Sequence, residues 1–102
     1  MDIVIRMKTG LFETTPFRLQ TGENRLLLIP VTAEGAEPIV LDEKDILSIT
    51  LTQRRLTELE IQTRDTLYSG LFEEGYPFEE TVNCLKRHLN VNITCEYKGG
   101  EY

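Results

Sequence analysis

The hydrophobic period of this chain changes once, near Gly75, and that change limits the folds open to it more than any other feature. From Phe78 onward the apolar residues Phe78, Val82, Leu85 and Leu89 recur every three or four positions. This is the spacing of one buried stripe on a helix, and it predicts a helix over Phe78–Leu89. The flanks agree. Pro77 suits the first turn, where an amide has no intrahelical partner. Glu79 and Glu80 sit at the positive end of the helix and Lys86, Arg87 and His88 at the negative end. Asn90 is read as a left-handed stop.

Before Gly75 the period is two. Ile46, Leu47, Ile49 and Leu51 alternate with Ser48, Thr50 and Thr52. Gln53-Arg54-Arg55 breaks the pattern, and Leu56, Leu59 and Ile61 return between Glu58, Glu60 and Gln62. Arg64-Asp65-Thr66 leads into a third strand, Leu67 to Phe72. Three strands with short polar connections form a meander, and antiparallel pairing is its economical solution. Earlier, Leu11 to Gln20 carries Pro16, which removes a ladder donor and places that segment at an edge or a bend. Thr21-Gly22-Glu23-Asn24 is a turn, followed by the strand Arg25 to Val31. Thr32 to Glu37 is the most loop-like stretch, and Ile39-Val40-Leu41 resumes a short strand before Asp42-Glu43-Lys44-Asp45. Past the helix, Val91, Ile93, Cys95 and Tyr97 alternate with Asn92, Thr94 and Glu96, giving a final strand that pairs with a sheet edge or with a partner chain.

A chain of 102 residues suits one core. The expectation is a single domain over 1–102, with an extra strand at 91–97. A formal net charge of -6 disfavours phosphate backbones, so no nucleic acid is expected. A local basic patch still acts within a Debye length of about 8 Å. Leu26 to Ile29, the longest apolar run, falls far short of the roughly 20 residues of a membrane span, so no transmembrane segment is expected. Asp2 and the alternating start argue against a signal peptide, and a cytoplasmic location is the expectation. Cys84 and Cys95 are then read as reduced thiols.

Six or seven antiparallel strands followed by one helix resemble the pleckstrin-homology-like superfold, including its GRAM and bacterial variants. The resemblance rests on Thr21 to Pro30, on Ile39 to Thr52, on the Leu56 to Phe72 hairpin and on the helix from Phe78. It covers roughly Leu11 to Leu89. It implies a mainly β (α+β) fold, a bent antiparallel barrel or sandwich plugged at one end by the helix. Two features depart from that pattern. The helix lacks the tryptophan of familiar members, since the chain has no Trp, and the strand at 91–97 is additional.

The chemistry legible in the sequence is sparse. Headgroup recognition needs converging basic donors. Arg6, Lys8 and Arg18 are candidates for such a cluster, with Glu13 and Glu23 nearby, and ordinary solvated charge is the plainer reading. Arg54 and Arg55, at a hairpin tip, form the sharpest basic pair; keeping that tip soluble is their bland alternative. Cys84 and His88 lie four apart on the helix, where both face one side, yet the chain has a single histidine and lacks paired ligand spacing, so no metal is expected. A wheel sets Cys84 off the apolar stripe. No phosphate loop and no nucleophile with a placed base emerge, so neither a catalytic residue nor a cofactor is expected. Among the aromatics Tyr68, Phe72, Tyr76, Phe78 and Tyr97, most are read as core or loop anchors.

These readings converge on a non-catalytic binding or assembly module. Protein–protein interaction or self-association is expected through a sheet edge or loops. Peripheral binding to anionic lipid headgroups is the alternative. The partner-binding candidates are Arg54, Arg55, Tyr76, Val91, Ile93 and Tyr97.

Overall fold

Strict alternation of side chains makes each strand one-sided, and one-sided strands curl into a sheet around their apolar rows. The protein, seen here in a computed structural model, is described over residues 2–9, 13–31 and 37–97. Its strands are β1 (Asp2–Lys8), β2 (Thr14–Gly22), β3 (Arg25–Pro30), β4 (Ile39–Asp42), β5 (Ile46–Gln53), β6 (Thr57–Thr63), β7 (Leu67–Phe72) and β8 (Asn92–Tyr97). Helix α1 spans Phe78–His88, and a single 3-10 turn, Glu43–Asp45, joins β4 to β5. All eight strands form one sheet in the order β4-β3-β2-β1-β7-β6-β5-β8. The mainly β architecture with one helix is the expected one. Seven strands pair antiparallel, and β8 runs parallel to β5.

The core gathers Ile5, Leu19, Leu26, Leu28, Ile49, Leu51, Leu59, Ile61 and Phe72, together with Val82, Leu85 and Leu89 of α1. The predicted helix stripe is thus the face that packs, with Phe78 at the margin of the same cluster. The helix ends where Leu89 is extended (φ -125), its amide bonded to Leu85 O. Asn90 is therefore not a left-handed stop: among the described non-glycine residues only Asn24, in the β2–β3 turn, has positive φ. Cys84 is also not peripheral, being 8% exposed. The wheel counts only the apolar stripe, whereas β2 covers the neighbouring face as well.

Pro16 lies within an interior strand and not at an edge. It pairs with Arg6 of β1, while pairing of β2 with β3 ends one residue later, at Phe17 and Pro30. Val31 N donates to Pro16 O on the β3 side. The missing N–H of Pro16 points the same way as that carbonyl, toward Val31 at the end of the ladder, so the proline forfeits only the second bond of the terminal rung.

Two apolar residues read as strand-face members are exposed. A register shift between Ile46 and Ser48 turns Leu47 outward, 54% exposed, and lets Ile46 and Ile49 both face the core. Leu56 sits on the hairpin tip, and the buried row of β6 is Thr57, Leu59, Ile61 and Thr63. The loop expected at Thr32 to Glu37 falls almost wholly outside the described residues.

The two halves of the sheet join at a short seam. There β1 meets β7 at Ile5↔Phe72, Arg6↔Leu71 and Met7↔Gly70. A Cβ on Gly70 would stand 2.5 Å from Met7 Sδ and 3.1 Å from Arg6 O. Glycine is what lets the strands approach.

Candidate interaction edge

Strand β8 cannot reach β5 by a hairpin, because the two are parallel; the chain returns to it through β6, β7 and α1. Pairing runs from Ser48↔Asn92 to Gln53↔Tyr97. The strand closes the sheet order, so among the described residues its outer edge carries no partner. Val91 and Ile93 pack half-buried against the core, while Asn92, Thr94, Cys95 and Glu96 are exposed. Tyr97 is 75% exposed. Val91, Ile93, Cys95 and Tyr97 lie in one row, continuing laterally the row of Ile49 and Leu51 beneath them.

The end of β8 meets the β5–β6 tip, since Gln53 pairs both with Tyr97 and with Thr57. Exposed Arg54 and Arg55 follow Gln53 at that tip. A shallow hollow of about 210 Å³ lies beside the tip, lined by Arg55, Leu56, Thr57, Glu73, Glu74 and Tyr76. Two carboxylates thus share the hollow with Arg55, which offsets the basic potential an anionic headgroup requires.

Tyr76 is half-buried, stacked on Phe72 (centroids 4.2 Å apart, planes 7° from parallel) and edge-on to Phe78 at 6.2 Å. Its ring thereby anchors the loop between β7 and α1. The phenolic oxygen is buried without a hydrogen bond of good geometry. Burial holds the phenol above its ordinary range; the adjacent Thr57 hydroxyl pulls it down and Cys95 on β8 adds slightly to the rise. Of the candidate residues, the structure brings Arg54, Arg55, Tyr76 and Tyr97 to one end of β8 and sets Val91 and Ile93 at and near its start.

A second cluster lies under the helix. Thr21 Oγ1 is 2.8 Å from His88 Nδ1 and 3.2 Å from Cys84 Sγ, and the thiol is 3.5 Å from the same imidazole nitrogen. The sequence offers Cys84 and His88 as a pair but does not announce Thr21; its parity with Phe17 and Leu19, which face inward, is the available signal. The three side chains satisfy one another where β2 meets α1. Cys84 also lines an open groove of about 450 Å³ together with Ile3, Glu80, Thr81 and Arg87. Cys95 belongs to neither, standing exposed on β8. Of the basic residues near the first turn, Lys8 Nζ pairs with Glu58 Oε2 at 2.9 Å and Arg6 Nε donates across the strand pair to Thr14 Oγ1 at 3.1 Å. Among the described residues no helix is long and apolar enough to cross a membrane.

No family model matches the chain, and no curated protein matches it. Among solved structures it is similar to a chain of the Spt16D Pob3N heterodimer, with a TM-score of 0.70 and 19% sequence identity over 99% of this chain and 55% of that one. The protein thus spans about half the length of its structural neighbour. The likeness, taken with a curled sheet closed by one helix, shows a pleckstrin-homology-like fold.

Proposed function

We propose that this chain is a non-catalytic interaction module that receives a protein partner by strand addition along the free edge of β8. The observation that carries the reading is the state of that edge: unpaired among the described residues, uninterrupted by proline, and ending in a tyrosine 75% exposed beside two arginines. An added strand gains main-chain hydrogen bonds from such an edge, and alternate side chains give it selectivity. The neighbouring fold belongs to a heterodimer, which agrees with an assembly role. Arg54 and Arg55 then contact the partner's end at the tip, and Tyr76 supports the tip from below. Glu73 and Glu74 in the same hollow favour a protein partner over an anionic lipid surface.

The test is a selection of extended peptides displayed against the domain, followed by amide chemical-shift mapping of the winners. Shifts on β8 and on the Arg54–Arg55 tip are expected. Shifts confined to β4 or to the groove beside Cys84 would overturn the reading.

A further inference from the structure

We propose that Cys84 is a modification site, a thiol that exchanges with small disulfides carrying both carboxylate and ammonium groups. It is independent of the β8 edge and of whatever partner that edge takes. A buried cysteine among apolar neighbours is ordinarily inert, because the reactive form is the thiolate. Cys84 has other neighbours. Its Sγ is 3.2 Å from Thr21 Oγ1 and 3.5 Å from His88 Nδ1, and the hydroxyl and the imidazole nitrogen are 2.8 Å apart. With the ring protonated on Nε2, the thiol donates to Thr21 and Thr21 donates to Nδ1, so a proton leaving sulfur has a path that ends on the ring. A proton arriving there sits in the last turn of α1, where positive charge is favoured.

The groove beside the thiol sets the class of disulfide. It holds about 450 Å³, a volume suited to a small molecule, and Cys84 lines it with Ile3, Glu80, Asn83 and Arg87. The 8% of Cys84 that remains exposed is reached from this side. Glu80 precedes Cys84 by one helical turn and Arg87 follows it by nearly one, so two exposed and opposite charges flank the thiol along the groove. A ligand carboxylate meets Arg87 and a ligand ammonium meets Glu80, whereas a purely anionic ligand gains from one and is repelled by the other. In the exchange the Cys84 thiolate attacks one sulfur of the disulfide. A new S–S bond joins that sulfur to Cys84, the old S–S bond breaks, and the departing thiolate takes the proton held by His88. The disulfide itself is the oxidant, and nothing else is consumed.

The test compares Cys95→Ser, in which Cys84 is the one thiol, with Cys84→Ser, in which exposed Cys95 is. Each is mixed with oxidised glutathione at neutral pH, and the gain of one glutathionyl group is followed by intact-mass spectrometry. Cys84 is expected to react about tenfold faster than Cys95 although it is the more buried of the two; a slower Cys84 would overturn the site. Adding His88→Gln to Cys95→Ser is expected to slow Cys84 about tenfold. Thr21→Val, which interrupts the relay and leaves sulfur and ring in place, is expected to slow it too, and it decides the matter if melts show His88→Gln unfolded. An unchanged or faster rate in the folded variant would overturn the role of the relay. Arg87→Glu is expected to slow oxidised glutathione and to spare the uncharged disulfide of mercaptoethanol. Equal effects on both reagents would overturn the ligand class. The Cys84 rate is expected to hold steady in low urea; a rate that climbs with urea would mean the thiol is reached only when the fold opens, and that too would overturn the site.

Discussion

The sheet has two ends, and they are finished differently. The β4 end is short, four residues, and is preceded by Pro38 and followed at once by the Glu43–Asp45 turn. That turn is tied down twice. Glu43 N donates to Asn24 O of the β2–β3 turn, and Glu43 Oε1 accepts from Asn90 N at 2.7 Å, just past the helix. Asn24 N in turn donates to His88 O. The β8 end has six residues, one charge and no proline, and among the described residues β5 is its one strand partner. Short strands, prolines and charges are how proteins discourage edge-to-edge pairing. The β4 end is short, follows a proline and leads straight into an anchored turn, whereas the β8 end is longer and has neither proline nor such a turn among the described residues.

The sharpest way to break this contrast is to compare core residues at the two ends by urea denaturation. Leu26, fully buried between β2 and β4, is expected to lose about 2–5 kcal/mol on Leu26→Ala. Ile93→Ala is expected to cost about 1 kcal/mol or less, since that side chain is only half-buried. Equal losses would make β8 a core strand and end the comparison. Next in size, Glu43→Ala removes the acceptor of Asn90 N and is expected to cost about 1 kcal/mol, with faster amide exchange in β4 and none in β8.

Smaller still is the effect of Tyr76→Phe, which deletes a buried hydroxyl lacking a good partner and is expected to leave the melting temperature unchanged or slightly higher. The same residue sets an alkaline limit. Its folded phenol sits above the ordinary 10.0, so stability is full below that value and falls as pH rises from it through the folded value. Tyr76→Phe should remove that part of the fall in melts run at successive alkaline pH values. Last, Val40→Lys on β4, where Val40 is 55% exposed, is expected to change stability by no more than about 0.5 kcal/mol and to leave peptide binding unaltered. A loss of binding there would reverse the roles of the two ends.

Period and punctuation made much of the fold legible: the stripe of α1, the β5–β7 meander and the strand after the helix can all be read from spacing. Direction was not legible. A period of two looks the same in a parallel and an antiparallel strand, so nothing in Asn92–Tyr97 says which way it lies against β5. Pro16 misled because its tolerance depends on where a neighbouring strand stops, which is a property of β3. Cys84 was misplaced because its cover comes from Thr21, distant in sequence and adjacent only once β2 and α1 pack. At the candidate site, Arg54, Arg55 and Tyr97 were found by position at a tip and on a strand, but their grouping depends on the parallel register.

The seam between β1 and β7 sets how closely the two halves of the sheet can stand. Because a methyl at Gly70 would press on the Arg6 carbonyl as well as on Met7, the strands on either side constrain a position that bears no side chain of its own. The join thus fixes the spacing of the two half-sheets through a position in the middle of β7 that offers only its backbone.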